Sequence, residues 1–335
     1  LSSDDDNSRH DLEIIIPVRN EKGSIEYVIE EILREGFSKD QILVVDGRST
    51  DGSREIAEKM GVRVVVQDGY GKADAIKTAV RKTDAEYMIF LDGDYTYPAK
   101  HIYDIISKLD EGYDLVIGWR KILEPGSMSL IYKIGNKIIT FIFNIMFGTK
   151  LSDVLSGMYG VRRSLLQEML FETKGFSIES EIVAHVVSTG GEVTEIPIEY
   201  RRRKNPKAKK LKIIDGVRIF RDIILLTWRY NPTFLLFFAG ALMLIPGLIL
   251  GAYVAYHHFF VGITYFVKGL IAIMLTLAGF QSLLLAILSL YLKRSEIRSM
   301  RLIRRIMRDE KNLYSKDPYP PPPGVSIITS SPASR

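Results

Sequence analysis

Two aspartates one residue apart, Asp92 and Asp94 in FLDGDYTYP, follow directly on an apolar run, Tyr87 to Leu91, that reads as the end of a buried strand. Like charges this close need either an exposed, salt-screened turn or a cation between them. Hard cations such as Mg²⁺ take oxygens from one or two carboxylates and complete their shell with water and phosphate oxygens. The chain contains no cysteine, which excludes disulfides, thiolate catalysis and cysteine-bound zinc together. Its five histidines show no helical metal-pair spacing, so any metal is expected to be oxygen-bound. A second feature with chemical weight is RRRKNPKAKKLK, Arg201 to Lys212, with eight basic residues and no acid, an anion-binding surface or a solvated run.

The elements that must position these residues alternate. LEIIIPV reads as a strand, and Ile25, Val28, Ile29, Ile32 and Leu33 recur at helical spacing after it. QILVVDG is a strand, STDGSREIAEKMG a capped helix closed by Gly61, VRVVVQDG a strand, KADAIKTAVRKT a helix and YMIFLDGD a fourth strand. Such alternation predicts a mainly parallel α/β sheet covered on both faces, with ligands beyond the carboxyl ends of its strands. The polar residues collect at those ends: Pro17 to Glu21, Asp46 to Ser49, Asp68 to Lys72 and Asp92 to Asp94. No glycine-rich dinucleotide fingerprint or P-loop occurs, so phosphates must be held by metal and side chains.

The composition changes after Asn231. Phe234 to Tyr256 is 23 residues without a charge and Gly269 to Leu292 is 24, each enough to cross a hydrocarbon core that takes about 20 helical residues. Two transmembrane helices joined as a hairpin are expected over 231–294. Arginines before the first span, with Lys293, Arg294, Arg298, Arg301, Arg304 and Arg305 after the second, place the large N-terminal part and both termini in the cytosol by the positive-inside rule. Residues 1–10 lack the apolar run of a signal peptide and are expected to be a disordered extension. Residues 295–335 are expected to form a basic juxtamembrane helix and a proline-rich disordered tail. Between domain and membrane, residues 128–147 put Lys133, Lys137, Thr140 and Asn144 on one helical stripe and Leu130, Ile134, Ile138, Phe141, Ile145 and Met146 opposite. That pattern fits a helix lying in the membrane interface, or an amphipathic helix packed on the domain.

In their order and spacing, IIIPVRNE, VVDGRSTDGS, GYGKADA and FLDGDYTYP resemble the nucleotide-sugar-binding half of family 2 glycosyltransferases with the GT-A fold. LSDVLSGMYGVRRSLL and the basic segment before the membrane resemble the polyprenyl- and dolichyl-phosphate hexose synthase group within it. The resemblance covers roughly residues 12 to 228 and implies a GT-A domain over 11–230. It implies metal-dependent, inverting transfer of one hexose from a GDP- or UDP-sugar to dolichyl or another polyprenyl phosphate. Mg²⁺ or Mn²⁺ would be the cofactor and the bilayer a partner, with no nucleic acid involved. Pro17, Arg19 and Glu21 would border nucleobase and ribose, Asp46 and Gly47 the base, and Lys72 the diphosphate. Asp92, Gly93 and Asp94 would hold metal and diphosphate, and Asp153 and Ser156 would line the sugar pocket. Arg120, Lys133, Arg202, Arg203 and Lys210 would bind the acceptor phosphate, with Asp92, Asp94, Arg120 and Arg202 carrying catalysis. Glu179 and Glu181 stand where relatives acting on hydroxyl acceptors place a base; a sugar-contact or structural role is an equal expectation. Two positions depart from the pattern: Gly47 replaces a usual Asp, and Thr96 a frequent Gln. A processive polysaccharide synthase would carry Q-x-x-R-W before its pore helices, which is missing here, and an inactive nucleotide-sugar-binding protein is the third alternative. The sequence sets no oligomeric state.

Overall fold

A computed structural model describes residues 11–171, 178–204 and 213–316. The expected terminal extensions, residues 1–10 and 317–335, and Lys210 lie outside the described residues. Seven strands form one sheet: β1 (Leu12–Val18), β2 (Ile42–Asp46), β3 (Arg63–Val66), β4 (Tyr87–Phe90), β5 (Leu115–Leu123), β6 (Tyr159–Arg162) and β7 (Val193–Tyr200), in the order β3-β2-β1-β4-β6-β5-β7. All pairings are parallel except those of β6, which runs antiparallel to β4 and β5. The helices are α1 (Ile25–Arg34), α2 (Ser53–Met60), α3 (Lys72–Lys82), α4 (His101–Asp110), α5 (Leu130–Phe147), α6 (Arg163–Gln167), α7 (Ile178–Ser188), α8 (Ile213–Tyr230), α9 (Pro232–Tyr256) and α10 (Phe266–Lys316).

The sheet is buried on both faces, which is why its central strands read as unbroken apolar runs. Alternate residues serve opposite layers. Ile14, Ile16, Ile42 and Val44 pack with Ile25 and Ile29 of α1, Ala57 of α2 and Ile102 of α4. Ile15, Leu43 and Val45 pack with Ile76 of α3, Phe143 of α5, Ile182 of α7 and Ile223 of α8. The predicted closure of α2 at Gly61 holds, with φ 76° there; its N-cap is Gly52, while Asp51 Oδ1 accepts the Ser53 N–H at 3.0 Å.

One consequence of the topology matters for function. Because β6 enters the sheet where β4 leaves it, with Tyr159 opposite Phe90, the segment Asp153 to Gly157 arrives at the edge where Asp92 and Asp94 emerge. β5 and β7 run with β4 and deliver Arg120 and Arg201 to Lys204 to the same edge.

Three helices are long and apolar enough to cross a membrane: Leu130–Phe147, Pro232–Val261 and Phe266–Met300. The last two contain the two uncharged stretches Phe234 to Tyr256 and Gly269 to Leu292. α9 and α10 pack closely through small residues: a Cβ on Gly279 would lie 2.5 Å from the backbone nitrogen of Leu244. Ser282 also donates to the Leu236 carbonyl across the pair at 2.9 Å. α10 runs unbroken for 51 residues, because no glycine or proline interrupts Leu270 to Lys316 except Gly279, which packing holds inside the helix. α5 adds a third apolar helix to the two expected, although Ile139, Phe143 and Phe147 on one side of it are buried in the domain core.

Candidate active site

Asp92 and Asp94 sit just past β4 in the sequence Asp92-Gly93-Asp94-Tyr95-Thr96. Tyr95 takes a left-handed conformation, φ 67°, which costs a residue other than glycine about 1–2 kcal/mol. Beyond that turn, the Thr96 backbone N–H and hydroxyl both donate to Asp94 Oδ1, at 3.1 and 2.6 Å. Thr96 therefore orients the carboxylate. The other oxygen, Oδ2, accepts from Arg203 Nη2 at 2.6 Å and Nε at 2.8 Å.

Asp92 has its own cation. Lys72, the first residue of α3, places Nζ 2.6 Å from Asp92 Oδ1 and 2.6 Å from Glu179 Oε1. Burial alone would lower the Lys72 ammonium pKa, but Asp92 and Glu179 outweigh it and hold it well above the ordinary lysine value. Burial raises the Glu179 pKa, with Lys72 opposing that shift and Asp92 adding to it. Behind Asp92 lies Gly157: a Cβ there would stand 2.2 Å from Asp92 Oδ2, so only glycine leaves room for the carboxylate.

The first strand end contributes Glu21, whose backbone N–H donates to Ser53 Oγ at 2.8 Å. Its carboxylate lies 3.5 Å from Arg203 Nη2 and accepts from Ser24 Oγ at 3.2 Å. Burial pushes its pKa from 4.5 up to about 7; Arg203 opposes the shift and Asp94 reinforces it. Pro17 is the penultimate residue of β1, and Arg19, just past the strand, is exposed. At the end of β2, Asp46 is buried and both its oxygens accept from the Ser49 N–H at 3.2 Å. The Gly47 N–H bonds the Val18 carbonyl at 2.7 Å, tying the first two strand ends together. Arg48, at φ 61°, lays its guanidinium over the exposed ring of Tyr70.

On the far side, Arg120 sits where the β5–β7 register slips between Arg120 and Ile122, an irregularity of the kind that re-aims a side chain. Its Nε and Nη2 form a fork on Asp153, at 2.6 and 2.7 Å. Asp153 is thus consumed in holding Arg120. Ser156, expected to line a sugar pocket, is buried and donates to the Gly118 carbonyl at 2.5 Å.

The basic segment divides its charges. Arg201 pairs with buried Glu31 at 2.7 Å, and its backbone N–H bonds the Thr96 carbonyl at 2.8 Å. Arg203 takes Asp94, and Lys204 lies 3.0 Å above the centre of the Tyr27 ring. Arg202 bonds Glu124 and the Pro125 carbonyl instead, so it is Arg203 that meets Asp94. Lys133 lies on α5, one turn before Asn136, which donates to Asp153. Glu181 is fully buried within α7.

Sequence reasoning missed four participants: the Lys72–Glu179 pair, Gly157, the locking role of Thr96, and Asn136. Each depends on contacts between segments far apart in the chain, apart from Thr96, whose spacing two residues after Asp94 was a readable signal for a local side-chain hydrogen bond. No group of three or more His, Asp or Glu that could hold a metal occurs among the described residues. Two hard carboxylates, one cradled on glycine and the other able to take a cation once Arg203 yields, fit a cation that leaves most of its shell to water and phosphate.

Comparison with known proteins bears on the family and the fold. The family model for glycosyl transferase family 2 matches residues 13–170. Glycosyltransferase AglJ of Haloferax volcanii is 36% identical over 279 residues, 82% of this chain and 91% of the relative. A dolichyl-phosphate hexose transferase of the same organism is 30% identical, over 64% of this chain and 92% of the relative. The solved glucosyl-3-phosphoglycerate synthase of Mycobacterium tuberculosis, in complex with Mn²⁺, UDP-glucose and phosphoglyceric acid, superposes with a TM-score of 0.54. It is 21% identical over 64% of this chain and 79% of its own, a likeness of fold. With an α/β GT-A sheet, apolar C-terminal helices and a near-full-length relative at this identity, the chain belongs to glycosyl transferase family 2.

Proposed function

We infer that the protein transfers a single hexose from a GDP- or UDP-sugar to dolichyl or another polyprenyl phosphate, with inversion, at the cytosolic face of the membrane. The observation that carries this reading is the meeting, at one sheet edge, of the acidic pair with Lys72, Arg120 and Arg203, in a domain whose helix α5 exposes an apolar face. The relative named as a dolichyl-phosphate hexose transferase supports the same acceptor class.

Asp92 and Asp94 would hold Mg²⁺ or Mn²⁺, which when bound supplies positive charge against the diphosphate leaving group. Lys72, clamped by Glu179, holds a permanent cation beside the same diphosphate. Pro17, Arg19, Glu21, Asp46 and Gly47 line the strand ends where the nucleoside would lie. A lipid phosphate is already ionised near neutral pH, so its oxygen can attack the anomeric carbon without a general base. Arg120, Arg203 and Lys133 would instead position that phosphate, and Glu179 is occupied in holding Lys72. α5 would rest in the interface: Leu130, Ile134, Ile138 and Phe141 are exposed on one side while Phe143 is buried on the other. The α9–α10 hairpin would anchor the domain as two spans, with the basic stretch after the second in the cytosol.

The test is incubation of membranes containing the protein with a panel of radiolabelled GDP- and UDP-sugars, dolichyl phosphate and Mn²⁺, followed by organic extraction. Label in an acid-labile lipid is expected. Label in polymer would point to a processive synthase, and donor binding without turnover to a nucleotide-sugar-binding protein.

A further inference from the structure

Helix α5 carries two asparagines that meet the domain, and they behave differently. Asn144 is fully used: Nδ2 donates to the Leu151 carbonyl at 2.8 Å, and Oδ1 accepts from Thr149 Oγ1 at 2.7 Å and the Leu151 N–H at 3.0 Å. It fastens the loop after the helix. Asn136 makes one bond, from Nδ2 to Asp153 Oδ1 at 2.9 Å. A carboxylate only accepts, so the amide nitrogen must face it and the carbonyl must face away. That carbonyl, Oδ1, is buried and has no hydrogen-bond partner among the described residues. An unsatisfied buried acceptor offsets much of what one hydrogen bond returns. Fold stability therefore gives a weak account of Asn136.

Its placement gives a stronger one. Asn136 lies three residues before Ile139 and seven before Phe143, on the side of α5 that meets the domain, while Ile134, Ile138 and Phe141 face outward. Through Asp153 it reaches Arg120, whose Nε and Nη2 are both fixed on that carboxylate and whose Nη1 makes no hydrogen bond among the described residues. Asp153 is in turn held from behind, its backbone N–H donating to Glu195 Oε1 at 3.0 Å. The path from the outward apolar face of α5 to the free edge of the Arg120 guanidinium is two side chains long.

We propose that Asn136 is a positioning residue that couples the seating of α5 in the bilayer to the placement of Arg120, through Asp153, for the acceptor phosphate. This rests on the lipid-phosphate transferase reading above. When the outer face of α5 is in acyl chains, its depth and rotation are fixed, and Asn136 holds the Asp153–Arg120 fork at the height where an isoprenoid phosphate emerges from the headgroups. Out of the bilayer the helix loses that restraint and Arg120 loses its aim.

The experiment uses the full-length protein in phosphatidylcholine–phosphatidylglycerol vesicles. It compares wild type, Asn136→Ala, Arg120→Gln and the double variant by donor and acceptor KM. Asn136→Ala is expected to raise the acceptor KM about tenfold, leave the donor KM unchanged, and add nothing in the Arg120→Gln background. With water-soluble geranyl phosphate as acceptor, adding empty vesicles to detergent-solubilised wild type is expected to lower KM, and Asn136→Ala to abolish that response. An acceptor KM unchanged in Asn136→Ala, a rise shared equally by the donor, additivity with Arg120→Gln, or a vesicle response that survives in Asn136→Ala overturns the proposal. Wild type that transfers to no lipid phosphate overturns the transferase reading itself, before any variant is compared.

Discussion

Arg203 lays two nitrogens on one oxygen of Asp94, while Thr96 saturates the other oxygen from within the same loop. The carboxylate has no lone pair left for a cation unless one of these partners yields. Thr96 is tied to Asp94 by the turn between them, so Arg203 is the competitor.

Arg203→Gln is accordingly expected to raise the affinity of the donor-free protein for Mn²⁺ about tenfold, since a charge-assisted pair is replaced by a weaker neutral contact. Titration followed by electron paramagnetic resonance measures this directly. An affinity that does not move would show that the cation binds elsewhere.

Lys72 stands between two carboxylates, and its side chain is 21% exposed against 30% for Asp92 and 8% for Glu179. Lys72→Met leaves that acid pair without its cation, which should destabilise the domain by about 3–5 kcal/mol. If Asp92 is a cation ligand, excess Mn²⁺ recovers part of the lost unfolding temperature. A loss that Mn²⁺ leaves untouched argues against that role.

Gly157→Ala forces a methyl into the space of Asp92 Oδ2. Overpacking of this kind costs about 1–3 kcal/mol, so the fold is expected to survive with an unchanged circular dichroism spectrum. Donor-dependent Mn²⁺ binding is expected to fall at least about tenfold because the carboxylate is turned aside. Normal binding in this variant would remove Asp92 from the site.

How much of this was legible in the sequence follows from the range of each interaction. The strand ends bearing Asp46, Lys72 and Asp92 were readable because period and turn residues are local signals. Asp94 was readable with them, but its pairing with Arg203 was not, since Arg203 lies 109 residues away and nothing local distinguishes it from Arg202, which bonds Glu124 and Pro125 instead. Asp153 was singled out in the sequence, but not as the counter-ion of Arg120, because the β5–β7 irregularity that aims Arg120 arises only when the strands pair. Glu179 was singled out in the sequence without its partner. Its tie to Lys72 required knowing that α3 and α7 begin at the same sheet edge.

A further prediction concerns acidity. The carboxyl pKa of Glu21 is raised by burial to about 7 from 4.5 in an exposed chain. Below 4.5 both folded and unfolded chains hold the proton. Between 4.5 and 7 the unfolded chain loses it first, so the stability Glu21 contributes at low pH is lost as pH rises through this window. The stability of Glu21→Gln relative to wild type should therefore grow by as much as about 3 kcal/mol from pH 4.5 to pH 7 and then level off. Unfolding temperatures of both proteins at pH 5 and pH 8 check this. An equal difference at the two pH values would contradict it.

The central claim is tested most directly by counting both products of one reaction. Purified full-length protein in vesicles carrying polyprenyl phosphate, with Mn²⁺ and the labelled nucleotide sugar that the donor panel selects, is expected to release one nucleoside diphosphate for each sugar that becomes lipid-linked. Asp94→Ala, still membrane-inserted, is expected to fall to background. Full turnover by Asp94→Ala, or nucleotide release with no sugar on the lipid, would contradict the account.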